Sequence, residues 1–599
     1  MRGKRVATEK AKDFKGTLKK LIKSLGNYKI PMIIIFVFAI LSTVFSIIGP
    51  KILGNAITEI FNGLIAKITG TGGIDFGKIA GILITLLVLY LLSLLFSFIQ
   101  GIIMTNISQR YAYKLRKQVS IKMHKVPISY YDKKTHGEVL SLLTNDIDLL
   151  GQNLNQSATQ FITSIVTLLG ILVMMLSINV TITILVVIVL PIAAFITSKI
   201  VKRSQKYFIR QQNYLAKVNG DVEEAYGGHQ VIKAFNAEDK MLNMFQEDSK
   251  KLADSAWKSQ FLSGLMHPLM VFLGNINYVV VAIVGGYFAI NGVITVGNIQ
   301  SFISYSKNFT NPISQLAQIS TMLQQAMAAA ERVFEFLDEE EETDAKESLI
   351  TYDKVKGAVS FEHVSFGYDK DKIIIHDFNC QVKPGQKIAI VGPTGAGKTT
   401  IVKLLMRFYH LNSGKIKVDG VDLENIKKED INKIFGMVLQ DAWLYSGKII
   451  DNIRYGKLDA TDEEVKEACS LARVDHFITT LPDGYNMEIN EESSNISLGQ
   501  KQLLTIARVI LANPKILILD EATSSVDTRT EVLIQEAMDH LMQGRTSFII
   551  AHRLSTIKNA DLILVLNDGD VVEQGTHEEL LKKDGFYAKL YNSQFESVN

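Results

Sequence analysis

Long uncharged apolar runs alternate with charged stretches in the first half of the chain. Residues 30–50, 79–109, 149–198 and 259–306 contain no Asp, Glu, Lys or Arg. A helix needs roughly 20 predominantly apolar residues to cross a bilayer. The first two runs predict one span each. The third and fourth are long enough for two each. Both have a polar break, Ser177-Ile178-Asn179 in one and Asn291-Gly292 in the other. Tight turns at those breaks would make two helical hairpins, so the pattern predicts six spans.

The basic residues orient the spans. Arg110, Lys114, Arg116 and Lys117 open a Lys/Arg-rich segment at 110–134, and Lys199, Lys202, Arg203 and Lys206 open another at 199–217. The two breaks carry no charge, and the loop 62–78 holds only Lys67, Asp75 and Lys78. Positive charge stays on the cytoplasmic side. The connections 110–148 and 199–258, and both termini, are therefore predicted to be cytoplasmic. Both connections are polar with a helical pattern, so the spans should continue beyond the bilayer. They would turn at tips near Pro127–Asp132 and Tyr226-Gly227-Gly228. Beyond the last run, 308–330 is polar, uncharged and helix-like, and an acidic run from Glu339 to Asp344 marks a solvated linker.

Before the first span, Phe14, Leu18, Leu21, Ile22 and Leu25 recur at helical spacing with Lys15, Lys19, Lys20 and Lys23 between them. Asp13 is placed to cap this helix. The pattern predicts an amphipathic helix on the cytoplasmic membrane face. No small-residue cleavage pattern follows, so a secretory signal is not expected.

From Gly357 the pattern changes to short β-rich runs alternating with helical ones, the sign of an α/β domain. Lys387–Val391 reads as a buried strand. Gly392-Pro393-Thr394-Gly395-Ala396-Gly397-Lys398-Thr399 follows at once, and then a helical run that begins with Thr400. This is a complete phosphate-binding loop in strand–loop–helix context. Its glycines let backbone N–H groups close around phosphate oxygens. Lys398 is placed to reach the β- and γ-phosphates of ATP, and the Thr399 hydroxyl to ligate Mg²⁺. A second apolar strand, Ile516–Leu519, ends in Asp520-Glu521. A carboxylate at the end of a buried strand is costly unless it meets a cation. Asp520 is therefore the expected Mg²⁺-side acid, and Glu521 the general base toward the attacking water.

The expected organisation is an interfacial helix at 1–29, a six-span α-helical transmembrane domain at 30–337, a linker at 338–356, and an α/β P-loop nucleotide-binding domain at 357–599. Composition agrees. The chain has 599 residues, 47% of them hydrophobic, with a mean hydropathy of +0.16. That is too long for one core. A net charge of +3 gives no reason to expect a nucleic-acid partner. Cys380 and Cys469 form neither a disulfide framework nor a metal-ligand spacing.

Ile496-Ser497-Leu498-Gly499-Gln500 resembles the signature sequence of ATP-binding-cassette proteins, and the resemblance to exporters of that family covers nearly the whole chain. Pro127 to Glu138 is similar to their first intracellular coupling segment, and Val231–Phe235 to the region after the second. The resemblance implies that Tyr368 stacks on adenine and that Gly392 to Thr400 hold the phosphates. It implies that Gln440 reaches Mg²⁺ and senses the membrane domain. His552 would contact the γ-phosphate, and Ser525-Val526-Asp527 would form the loop after the catalytic glutamate. Lys398, Gln440, Glu521 and His552 would serve catalysis, with Thr399, Gln440 and Asp520 around the metal. Ser497, Gly499 and Gln500 would face ATP bound by a second half-transporter. The implied setting is a cell membrane, with ATP driving a hydrophobic or amphipathic cargo across it.

The signature departs from the family pattern. Ile496 replaces Leu, and Leu498 replaces the first Gly. The upstream stretch Ile489-Asn490-Glu491-Glu492-Ser493 lacks both customary glycines. An intact hydrolytic half beside an altered signature resembles one subunit of a heterodimeric bacterial exporter; drift in a homodimer is the alternative. The cargo has no recognisable motif. His267, inside the run 259–306 and followed by Pro268, is either an intramembrane functional residue or an ordinary histidine at a cytoplasmic-side helix kink. Asn106, Gln152, Gln160, Asn275 and Asn277 would line a polar cavity or only join helices. No appended protease-like or receptor domain is seen, which disfavours a dedicated peptide exporter. An exporter of drugs or lipids is favoured over an ATP-gated channel or regulatory subunit, since a gate needs binding more than the turnover that Glu521 supports. The spans disfavour a purely mechanical ATPase.

Glu521→Gln removes the base and leaves Lys398 in place. ATP binding should persist while turnover nearly stops. Hydrolysis near the wild-type rate would show that Glu521 is not the base.

Overall fold

A computed structural model describes residues 11–369, 372–439, 442–490, 495–520, 526–551 and 554–593. Gln440, Glu521, Ser525, His552 and the stretch Glu491–Ser493 lie outside the described residues. The chain divides into two compact units. One comprises Met1–Met123 with Gly137–Glu339, the other His124–His136 with Glu340–Asn599.

The first unit is helical. Its elements are α1 (Phe14–Ser24), α2 (Lys29–Ile68) and α3 (Phe76–Met123), then, after the short α4 (Ile128–Lys133) of the other unit, α5 (His136–Ser141) and α6 (Ile147–Ile178). They are followed by α7 (Val180–Gly227), α8 (His229–Ala234), α9 (Glu238–Gly264), α10 (Met266–Ile290) and α11 (Val296–Asp338). Both polar breaks are turns. Asn179 separates α6 from α7 and its side chain accepts the Ile182 N–H, while Gly292 lies between α10 and α11. Asp13 caps α1 by accepting the Gly16 N–H.

Among the described residues, four helical stretches are long and apolar enough to cross a membrane: Gly26–Ile68, Phe76–Met123, His136–Ile178 and Glu238–Ile290. In α7 the described apolar part is the shorter Val180–Val189. The last long helix, α11, is more polar than a typical span. It runs unbroken through 308–330, so the polar helix-like stretch expected there belongs to the same continuous helix. Leu87, Leu94 and Phe98 of α3 are exposed. Apolar side chains in such rows suit lipid, where the backbone must satisfy its own hydrogen bonds within the helix.

Helices α2 and α11 approach closely. A Cβ on Gly297 would stand 1.7 Å from the Gly54 carbonyl oxygen, and one on Gly54 would stand 2.3 Å from Ser301 Oγ. Small residues at such spacing let helix backbones meet in a membrane. The approach brings polar groups into register. The Gly297 N–H donates to Thr58 Oγ1 at 3.2 Å, Ser301 Oγ to the Pro50 carbonyl at 2.9 Å, and the Tyr305 hydroxyl to the Ile47 carbonyl at 2.9 Å. Pro50 has no N–H and frees the Ser46 carbonyl one turn back, and the two hydroxyls from α11 add bonds to carbonyls beside that interruption, those of Ile47 and Pro50. At its far end α11 carries Arg332, which grips the buried Asp146 at 2.6 and 3.0 Å. The neighbouring Glu331 carboxylate accepts the Lys12 and Asp13 N–H groups, tying the start of α1 to α11.

In the second unit a six-stranded sheet runs in the order Asp570–Gly575, Leu562–Asn567, Lys387–Val391, Thr546–Ile550, Ile516–Asp520, Phe435–Val438. All its pairs are parallel except the first. The inner strands are almost wholly buried, so they read as continuous apolar runs and not as alternation. An antiparallel sheet built on Val359–Phe366 packs into the same core as these strands.

Gly297→Ala should push α2 and α11 apart and destabilise the protein by about 1–3 kcal/mol, the usual range for overpacking. Gly81 has open space around its Cβ position. Gly81→Ala should leave thermal unfolding in detergent unchanged or slightly raised. Equal melting of both variants would contradict the packing described.

Candidate functional site

The strand Lys387–Val391 lies between two parallel neighbours, and its carboxyl end feeds the loop 392–397. Gly397 has φ +98° and opens the helix Lys398–Leu405. A Cβ there would also stand 2.8 Å from Ile375 Cδ1, so glycine is needed both for conformation and for space. A tight loop ending at a helix N-terminus gathers backbone N–H groups toward one point, which suits an anion.

Lys398 folds back over this loop. Its ammonium donates to the carbonyls of Gly392 and Pro393 at 2.8 and 2.9 Å. Burial holds its pKa below the usual lysine value, and the Asp520 carboxylate works against that shift. Thr399 is exposed, whereas Thr400 is buried.

Strand register places the second acid. Ile550 pairs with Ile390 on one side and with Asp520 on the other. Val438 pairs with Leu519. Four parallel strands therefore end side by side. In sequence, Glu521 directly follows Asp520, Gln440 is two residues past Val438, and His552 two past Ile550. The cradle formed by the loop, with Asp520 at the same edge, fits a nucleotide phosphate with its divalent cation, because it offers N–H donors and a carboxylate together. No group of three or more metal-ligating His, Cys, Asp or Glu occurs among the described residues.

Tyr368 is 38% exposed. Its ring meets Phe366 and Tyr409 edge-on, both at 5.1 Å, and Lys403 Nζ lies 5.5 Å from its centre. Its hydroxyl is 3.3 Å from Thr400 Oγ1, the residue two past Lys398. Sequence reading did not single out Tyr409, which is buried and whose hydroxyl donates to Asp132. Ile128 packs against the same core. No local pattern could have paired residues so far apart in the chain.

Ser497, Gly499 and Gln500 stand at the start of a different helix, Leu498–Ala512. Ser497 and Gln500 form a capping box, each side chain accepting the other's N–H, so part of their chemistry is spent inside the helix. A Cβ on Gly499 would come 2.4 Å from Thr530 Cγ2 and 2.9 Å from Val526 Cγ1. Gly499 is thus required by packing within its own unit. Ile496 is buried in the core, where it replaces leucine without exposing new surface. Leu498 is 48% exposed at the helix start.

Comparison with known proteins agrees with this geometry. Residues 32–313 match the family model "ABC transporter transmembrane region", and residues 375–524 match "ABC transporter". A fatty acid ABC transporter ATP-binding/permease protein of Mycobacterium bovis is 41% identical over 97% of each chain. An uncharacterised ABC transporter ATP-binding protein of Bacillus subtilis is 42% identical over 98% of this chain and 96% of its own. A solved bacterial Atm1-family ABC exporter with ATP bound superposes with a TM-score of 0.72 at 27% identity, covering 95% of this chain and 98% of that one.

Tyr368→Ala should weaken nucleotide binding by ~1–3 kcal/mol, the range for loss of one base–aromatic stack. Tyr368→Phe should be nearly silent, because the hydroxyl contact to Thr400 is long. Equal losses measured by titration would assign the effect to the hydroxyl and overturn the stacking role.

Proposed function

The chain belongs to the ABC transporter family, as an exporter-type half-transporter with fused transmembrane and ATP-hydrolysing domains, and from that premise we propose that it exports amphipathic molecules from the cytoplasm as one half of a heterodimer in the cell membrane. The Mycobacterium bovis relative carries the name of a fatty acid transporter. That name supports an amphipathic cargo, lipids or lipid-like drugs, over a peptide or ion. Six spans with both termini cytoplasmic remain the reading of the charge pattern.

The proposed mechanism uses this chain's groups as follows. Backbone N–H groups of 392–399 and the Lys398 ammonium hold the β- and γ-phosphates. Tyr368 fixes the base. Thr399, Gln440 and Asp520 would hold Mg²⁺, which supplies charge neutralisation at the phosphates. Glu521 takes a proton from the attacking water and His552 steadies the γ-phosphate. The tip 124–136 carries the resulting motion, with Asp132 held by Tyr409 and Ile128 in the core.

The heterodimer rests on one asymmetry. The phosphate loop, Asp520, Glu521 and His552 serve the ATP bound by this chain and match the family pattern. Leu498, which presents an apolar side chain at the helix start, serves the partner's ATP. In a homodimer each site would combine a good half with an altered half. In a heterodimer the altered half can face a site that is already slow.

Purified alone, the chain should show little cargo-stimulated ATPase. In the assembled pair, Leu498→Gly should change turnover little. Full activity from a homodimer, or a large gain from Leu498→Gly, would contradict the heterodimer.

A further inference from the structure

Between residues 259 and 330 the chain carries a single charged side chain, Lys307. With α11 as the last span of the charge-pattern reading, this lysine falls at membrane depth. It lies three turns into the helix, about 16 Å from Val296 at 1.5 Å per residue. A second measure agrees. Tyr305, half a turn earlier, bonds to Ile47, which belongs to the uncharged run 30–50. Lys307 is exposed in the isolated chain and has no hydrogen bond or ion pair with any described residue.

Lys307 also belongs to a polar face. Ser304, Lys307, Asn311, Gln318, Thr321 and Gln325 recur at spacings of three, four and seven, one side of a 3.6-residue helix. Ser304 is half-buried and the other five are exposed. The opposite side of α11 is apolar and packed, with Phe302, Tyr305, Phe309 and Ile319 buried. Ser304, Lys307 and Asn311 fall within about 23 Å of Val296, inside the ~30 Å thickness of a hydrocarbon core, and Gln318, Thr321 and Gln325 continue the same face beyond it. A helix at membrane depth does not turn an amide and an ammonium toward lipid, so this face lines a watered cavity. Pro312 sharpens the site, because it lacks an N–H and leaves the Asn308 carbonyl without its intrahelical donor.

We infer that Lys307 holds the anionic headgroup of an amphipathic cargo, with the amide stripe of α11 forming the polar wall and the cargo's apolar tail lying elsewhere in the cavity. The charge argument decides the cargo class. The uncharged runs 30–50, 79–109, 149–198 and 259–306 offer Lys307 no Asp or Glu at membrane depth, so a carboxylate or similar monoanion completes it. This assignment rests on the proposed export of amphiphiles and narrows it to anionic ones.

The test uses the assembled transporter in proteoliposomes and compares ATPase stimulation by oleate with that by oleyl alcohol, the same chain without charge. Wild type should respond at lower oleate concentrations than oleyl alcohol concentrations. Lys307→Gln should raise the half-stimulating oleate concentration about tenfold to a hundredfold, the value of one charged hydrogen bond, and leave the alcohol curve in place. Lys307→Arg should retain the preference for oleate. If both amphiphiles stimulate wild type and Lys307→Gln alike, amphiphile export stands and the assignment of Lys307 falls. If Lys307→Gln separates the two subunits during purification and Lys307→Arg does not, the lysine pairs with an acid of the partner, and the assignment is likewise overturned. If neither amphiphile stimulates wild type, the proposed function falls and takes the assignment with it.

Discussion

Backbone N–H and C=O groups inside hydrocarbon find no water, so each must be satisfied within its helix or by a neighbour. Much of the membrane half follows from that constraint. It favours long helices and puts the described hairpin turns at polar positions, Asn179 and Asn291-Gly292, while α9 passes into α10 at Leu265, where the chain keeps its helical direction of hydrogen bonding. Beside Pro50, whose missing N–H frees the Ser46 carbonyl, Ser301 and Tyr305 of α11 donate to the carbonyls of Pro50 and Ile47. Those bonds need the backbones to meet, which is why Gly54 and Gly297 face each other without side chains. The same constraint gives the polar face of α11 its meaning, since an amide and an ammonium that cannot face lipid must face water.

The nucleotide-binding half obeys a different economy, that of the parallel sheet. Parallel strands are buried on both faces and can present chemistry only at their ends. Register brings Val391, Ile550, Asp520 and Val438 to one edge. The loop after the first of these supplies N–H donors and Lys398. The acid that ends the third, Asp520, lies at the same edge. Tyr368 comes from the other sheet and is held there by Phe366 and Tyr409. Tyr409 in turn reaches Asp132, so the ring expected to sense the base and the tip expected to carry motion share one neighbour.

The uncharged runs made the first two spans and the two hairpin breaks legible, because lipid permits few alternatives. The phosphate loop and Asp520 were legible because a strand, a glycine turn and a helix start each leave a local mark. Other features leave none. Asp132 and Tyr409 are joined only by the fold. The capping role of Gln500 and the packing need at Gly499 depend on Ser497, Val526 and Thr530 in three dimensions. Lys307 was missed for a simpler reason. The uncharged run ends at 306 and the following polar stretch looks like a separate segment, so the lysine falls at an apparent boundary. Reading 300–325 at helical period would have found the stripe. Gln440, Glu521 and His552 rest on sequence position alone.

The central claim is that ATP hydrolysis in this chain's domain moves an amphipathic anion outward. Inside-out vesicles containing the assembled transporter test it most directly, by following accumulation of a labelled long-chain carboxylate in the lumen. The account predicts accumulation against a gradient with ATP and Mg²⁺, and none with a non-hydrolysable ATP analogue. Equal movement with the analogue would mean that binding alone opens a path, and the chain would then be a gate and not a pump.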